Sequence, residues 1–285
     1  MKNYFKTNWL PLALTAGFVI VMAILTVILL NKNQITVDLA EIPLRDRPNR
    51  NAKQLGYVTK HTKLRILQED GDWTEVRKPN EKTGWVATWL LDRKTPLKKL
   101  TPMAETTIVL DPGHGGSDTG ALSNDGQYEK TYTLKTALAV RKALEAYGAK
   151  VIMTRHTDKL VYLKDIPEIA NRAKADAFVS FHFDSYGKKN VVSGLTTYYY
   201  HKDNGSLTLA KTLNAQMDHF PMKNRGVDFG NFEVIRNNKR PAVLLEMGYI
   251  NTNKDFKAIS SPGYPNKVAK AVTSGLDNYF YNESK

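Results

Sequence analysis

Val109-Leu110-Asp111-Pro112-Gly113-His114-Gly115-Gly116 decides how this chain reads. Together with Ile108, its aliphatic residues make a short buried strand, and the glycines that follow let a loop turn tightly and carry a histidine close to a ligand. Outward from it, Thr131 to Tyr147 has helical apolar spacing through Leu134, Ala137, Leu138 and Leu144, with Gly148 as a stop. Val151-Ile152-Met153, Ala177 to Phe181, Glu233-Val234-Ile235 and Ala242 to Leu245 read as further strands, and so does Tyr198-Tyr199-Tyr200. Asp165–Lys174, Ser206–His219 and Tyr264–Tyr281 read as helices. This alternation predicts an α/β domain over 106–285, with a mostly parallel sheet flanked by helices.

In such sheets the carboxyl ends of the strands converge on a ligand crevice. His182 follows the strand that ends at Phe181, Glu246 follows the strand that ends at Leu245, and His114 sits in the loop after the first strand. Glu129 precedes the helix after that loop and could swing back to the same place. The chain has no cysteine and only 6 histidines, so a metal would have to be held by imidazole and carboxylate. Two histidines and a carboxylate suffice for a catalytic zinc, and a second carboxylate, here Glu246, could carry the proton from water to a leaving nitrogen. Taken singly, each residue also has an ordinary role: a loop histidine, a charge at a helix N-terminus, a paired carboxylate at the edge of a core.

Upstream, no residue from Trp9 to Leu30 is charged, while Lys2 and Lys6 precede the run and Lys32 closes it. At about 1.5 Å per residue this is long enough to cross a hydrocarbon core of about 30 Å. It lacks the short apolar region and Ala-x-Ala ending of a cleaved signal. Residues 1–32 are therefore expected to be an uncleaved single-pass anchor, with the N-terminus inside and the rest of the chain outside the cell membrane. Ala13 and Gly17 form a small-xxx-small pair, a candidate seat for a membrane-protein activator.

Short alternating runs at Leu64–Leu67, Trp73–Val76 and Gly84–Val86, separated by turns, predict a small all-β barrel over 37–93. Such a barrel is expected either to bind peptide or wall polymer through exposed aromatics such as Tyr57 and Trp89, or to be a spacer whose Trp73 and Trp85 fill its own core. Lys94 to Glu105, with two prolines and no apolar period, reads as a linker. The 285 residues carry 41 basic against 28 acidic side chains, a formal charge of +13 that favours polyanionic surroundings. Those cations are scattered and no nucleic-acid recognition motif accompanies them, so a nucleic-acid partner is not expected.

Two resemblances sharpen these expectations. Leu44 to Asn49, the acidic turn before Trp73 and Gly84-Trp85-Val86 resemble a bacterial SH3 domain, a module often attached to wall-active enzymes. From Thr106 onward the chain resembles the zinc-dependent N-acetylmuramoyl-L-alanine amidases of bacterial cell walls. The matching pieces run in order through Val109 to Gly116, Tyr128-Glu129-Lys130, Thr154-Arg155, Ala170 to Asp176, Ser180 to Asp184, Arg225-Gly226-Val227 and Pro241 to Tyr249. The resemblance implies zinc at His114, Glu129 and His182, with Glu246 catalytic. It also implies peptidoglycan as partner and substrate, cut at the amide between N-acetylmuramic acid and L-alanine of the stem peptide. Two departures stand out. Asp184 occupies a place where the family usually has asparagine, and Ser185 to Ser193 leaves no room for the long helix that plugs the site in some relatives. His61, His156, His201 and His219 match no ligand position.

Overall fold

A computed structural model of the chain describes residues 9–31 and 33–283. Lys2, Lys6 and Lys32, the charges expected to flank the apolar run, lie outside the described residues. The run itself is one helix, α1 (Trp9–Asn31). Its side chains from Trp9 to Thr26 are all exposed, so none of the described residues covers that apolar surface. At about 1.5 Å per residue, 23 residues reach across a bilayer core of about 30 Å.

The chain divides into two compact units at Pro96/Leu97. The first contains six antiparallel strands: β1 (Gln34–Thr36), β2 (Glu41–Arg45), β3 (Gln54–Thr59), β4 (Lys63–Asp70), β5 (Trp73–Arg77) and β6 (Thr83–Ala87), in the order β1-β4-β5-β6-β2-β3. A short helix, α2 (Thr88–Leu91), closes it. Alternation along β5 turns Thr74 and Val76 inward and leaves Trp73, Glu75 and Arg77 on the outer face. Trp85 pairs with Glu75 across the sheet and is likewise only half-buried. The tryptophans therefore do not form the core, which is made by Val37, Ile42, Leu44, Val58, Leu64, Val76, Val86 and Leu90. Of the two expected surface aromatics, Tyr57 is exposed and Trp89 is half-buried.

The second unit begins within the stretch read as a linker. There Pro102–Glu105 form a 3-10 turn whose Met103 enters the core. The unit holds a second six-stranded sheet, from β7 (Thr107–Pro112), β8 (Lys150–Met153), β9 (Ala177–Asp184), β10 (Leu195–Tyr199), β11 (Asn224–Phe229) and β12 (Ala242–Tyr249), in the order β11-β10-β12-β9-β7-β8. Every neighbouring pair is parallel except β10–β12.

Side-chain alternation splits the packing between two faces. Ile108, Leu110, Val179, Phe181, Val243 and Leu245 point toward α3 (Glu129–Ala146), α5 (Ser206–Asn214) and α8 (Tyr264–Glu283), which supply Val140, Leu144, Leu213, Val272 and Leu276. Val109, Phe178 and Leu244 face the other way, against α4 (Ile166–Arg172) and α6 (Glu233–Arg236). Thus Glu233-Val234-Ile235, read from its β-branched residues as a strand, is a single helical turn. Val234 and Ile235 are buried there without ladder partners, and tertiary burial overrides local β preference. A further helix, α7 (Asn253–Ile259), follows β12.

Candidate metal centre

On the second face burial falls off along β9 and β12, where His182 and Glu246 are only half-buried while Phe178 and Leu244 are buried. Counting in twos from Phe178 brings His182 onto this face, and counting from Leu244 brings Glu246 onto it. The parallel register places these two residues directly beside each other, and Thr196 on β10 pairs with Glu246 from the other side. Both strands run further than their apolar runs show, so His182 and Glu246 lie within β9 and β12 rather than beyond their ends.

His114 reaches the same place from the loop after β7, in the left-handed backbone region at φ 63°. Glu129 opens α3, where the positive end of the helix dipole favours its charge. Its carboxylate is the hub. Glu129 Oε2 lies 3.1 Å from His114 Nε2, and Glu129 Oε1 lies 3.1 Å from His182 Nδ1. The backbone N–H of Ala121 donates to Oε2 at 2.9 Å and that of Phe183 to Oε1 at 2.9 Å. The two imidazoles meet edge to face, with centroids 4.8 Å apart.

Two glycines make this approach feasible. A Cβ on Gly113 would fall inside the space of the His182 ring, nearest its Cε1. One on Gly120 would stand 2.6 Å from both Glu129 Oε2 and His114 Cδ2, and Gly120 also has φ +64°.

The loop bearing His114 is clasped by Arg155, which is almost wholly buried. Its Nε donates to Pro112 O at 2.8 Å, and its Nη2 to Gly113 O at 2.9 Å, Lys130 O at 3.0 Å and Thr133 Oγ1 at 3.0 Å. Beneath the loop, buried Asp111 accepts from Thr154 Oγ1 and Ser180 Oγ, both at 2.7 Å. Outside it, Lys130 Nζ ties Asp158 to Gly116 O.

Electrostatics follow from this packing. Burial pulls the His114 pKa down, but the hydrogen bond and charge of Glu129, then those of Asp118, outweigh it and raise the group to about 9. Burial pushes Glu129 upward, and the two histidines reverse that, holding it far below the usual carboxylate range. Glu246 shifts the other way. Burial first, then the negative charges of Glu129 and Asp184, raise it well above 4.5. Its Oε2 is shut off from solvent with no hydrogen-bond partner among the described residues.

The donor set fits a zinc ion. One ligand atom from each of His114, Glu129 and His182 can be chosen so that all lie within 4.8 Å of one another. Bonds of about 2 Å at tetrahedral angles separate ligand atoms by roughly 3.3 Å, a spacing within the 4.8 Å reach of this set. Three protein ligands leave a fourth position for water or substrate.

Asp118 was not singled out from the sequence. Its Oδ2 lies 2.9 Å from His114 Nδ1, the arrangement that fixes a ligating imidazole's tautomer and ring angle. The only signal for it was an acid four residues after a candidate ligand. The remaining histidines stay apart: His61, His156 and His219 are exposed, and His201 bonds Arg236 O. Ser185 to Ser193 contains no helix. Asp184 is beside the site and acts on the charge of Glu246 and on the Tyr249 hydroxyl, which burial and Asp184 together raise.

Comparison with known proteins agrees with this geometry. The family described as N-acetylmuramoyl-L-alanine amidase matches residues 108–278, and that described as bacterial SH3 domain matches residues 40–92. A protein of Staphylococcus saprophyticus subsp. saprophyticus described as "Probable cell wall amidase LytH" is 37% identical over 284 residues, covering 95% of this chain and 94% of its own. The structure of N-acetylmuramoyl-L-alanine amidase AmiC2 of Nostoc punctiforme is 36% identical, with a TM-score of 0.58 over 61% of this chain and 96% of its own. That of the CwlD amidase of Clostridioides difficile, in complex with the GerS lipoprotein, is 30% identical, with a TM-score of 0.58 over 61% of this chain and 98% of its own.

Proposed function

Because the chain belongs to the N-acetylmuramoyl-L-alanine amidase family, we propose that it is a zinc enzyme held at the outer face of the cell membrane, which hydrolyses the amide between N-acetylmuramic acid and the L-alanine of peptidoglycan stem peptides. The observation that carries this reading is the meeting of His114, Glu129 and His182 within 4.8 Å, with Glu246 next to His182 on the adjoining strand.

His114, Glu129 and His182 hold the metal. Bound there, it supplies Lewis acidity toward the scissile carbonyl and the attacking water. Glu246 accepts the water's proton on its carboxylate and delivers it to the leaving amide nitrogen. A raised pKa suits this two-way role, since a group that must both take and give a proton works best near the ambient pH. Asp118 orients His114, while Arg155 and Asp111 hold the loop and strand ends that carry the ligands.

The exposed apolar surface of α1 supports a membrane anchor, the place of a wall substrate puts the catalytic unit outside, and the barrel of the first unit serves as a module for holding wall polymer. Digestion of defined peptidoglycan fragments, followed by mass spectrometry, tests the reading. Zinc-loaded protein should release free stem peptide and leave intact glycan, a chelator should stop it, and added zinc should restore it. Cleavage within the stem peptide instead, or none by the zinc-loaded chain, would refute it.

A further inference from the structure

On the first unit, a recess of about 190 Å³ opens beside Gln34, Lys63, Arg65, Arg77, Lys78 and Glu81. Its charge is one-sided: four cations face a single carboxylate. Arg65 and Arg77 stand directly opposite each other on β4 and β5, a cross-strand pairing of like charges that costs stability unless something negative lies between them. Glu81 does little to offset it, because its Oε2 is 3.4 Å from Arg77 Nη1 and its side chain is 77% exposed. Lys78 Nζ donates to Tyr57 O, and the Arg77 side chain is 40% exposed, so its guanidinium end stays within reach of a ligand. A sheet face that sets two arginines opposite each other, with one exposed carboxylate beside them, is suited to an anionic ligand.

The recess is also fixed in place along the chain. Gln34 on β1 pairs with Arg65 and is three residues past Asn31, the last residue of α1. Three residues of fully stretched chain span at most about 11 Å. If α1 crosses the bilayer, which rests on the reading above, the recess lies in the zone of the lipid headgroups.

We propose that Arg65, Arg77, Lys63 and Lys78 form a binding site for the phosphodiester of an anionic phospholipid headgroup, docking the barrel onto the membrane that α1 enters. Arginine suits this ligand because its planar fork can donate two parallel hydrogen bonds to phosphate oxygens. The lysines add point charge at the rim. The recess, far larger than the roughly 30 Å³ share of one water, has room for the phosphate with its ester oxygens.

The test uses the full chain in neutral detergent micelles, with lipid retention read by native mass spectrometry. Phosphatidylglycerol should be retained at least about tenfold over phosphatidylcholine, with the preference shrinking as salt rises. The R65Q/R77Q variant should lose the preference and K53Q/K60Q, with charges removed elsewhere on the barrel, should keep it. Circular dichroism checks that each variant is folded. Soluble glycerophosphoglycerol should compete only at much higher concentration, because it lacks the tether of α1. A preference that survives in R65Q/R77Q would overturn the site, and competition by the soluble diester at equal concentration would overturn the lipid as its source. Alkaline extraction of cell membranes reads the anchor separately: release of the chain there refutes the anchor, while glycerophosphoglycerol binding that depends on Arg65 and Arg77 still reports on the recess.

Discussion

Glu246 and His182 occupy the same level of two adjacent parallel strands, so that one backbone ladder sets the distance between the expected proton carrier and an expected metal ligand. Neither depends on a mobile loop for its place. Removing the Glu246 carboxylate should therefore abolish turnover and leave metal binding intact. For E246Q we expect stem-peptide release to fall by about 10²- to 10⁴-fold, with zinc content unchanged by elemental analysis. A proportional loss of zinc would assign Glu246 to the ligand set.

Gly113 tests how tightly the loop must approach His182. G113A puts a methyl group into the imidazole's space and should weaken zinc affinity by about 10- to 100-fold, the range typical for disturbing a ligand's surroundings. G187A, where a Cβ meets nothing within 4 Å, should bind zinc normally. Equal affinity of both variants in a chelator competition titration would count against the packing described.

The raised His114 pKa gives a signed pH dependence. Without metal, the stabilisation it represents is full below about 6.5 and is lost as pH rises through about 9. Glu129 contributes in the opposite sense: its share is complete above 4.5 and is lost only as pH falls through its strongly lowered value. The melting temperature of metal-free protein should therefore decline from pH 6.5 to 9.5, and the decline should vanish in H114Q. Over the same window zinc must displace the His114 proton, so its apparent affinity should climb by about tenfold per pH unit and level off near pH 9. A flat affinity profile would show that no such proton is displaced.

Arg155 should matter to stability more than its distance from the reacting groups implies. R155M leaves Pro112 O without its buried side-chain donor and takes one donor each from Gly113 O and Lys130 O, which keep Thr133 Oγ1. We expect a loss of about 3 kcal/mol in urea unfolding. R155K, with one compact charge in place of a planar fork, should recover only part of it.

Much of the second unit was legible because its central strands are buried on both faces and read as plain apolar runs, as at Val109, Phe178 and Val243. β11 was not read as a strand. It is an edge strand, half exposed, with Asn224, Gly226 and Asp228 in it, and pairing alone defines it. The opposite error at Glu233-Val234-Ile235 came from trusting β-branched residues over so short a span. Within the site, His114, His182 and Glu246 could be placed by strand order. The turn of Glu129 toward both histidines depends on Gly120 and on donors at Ala121 and Phe183, which no local pattern announces. For Trp73 and Trp85 of the barrel a core place was only one of two open readings, and the alternation about Thr74 and Val76 decides against it.

The Arg155 clasp has one more consequence, for the order in which the molecule assembles. Its partners Pro112, Gly113 and Lys130 lie 43, 42 and 25 residues away along the chain, and Glu129 must find His182 across 53. Closing loops of that length is slow compared with winding α3 or α8. The join between the two histidines therefore waits on the longest of these closures, after the helices and the first strand pairs exist, whereas the contact of His114 with Glu129 is the more local one. A nascent chain that has not yet made β9 lacks His182 and so has an incomplete ligand set. Hydrolytic competence arrives with the last closure and departs with the first opening.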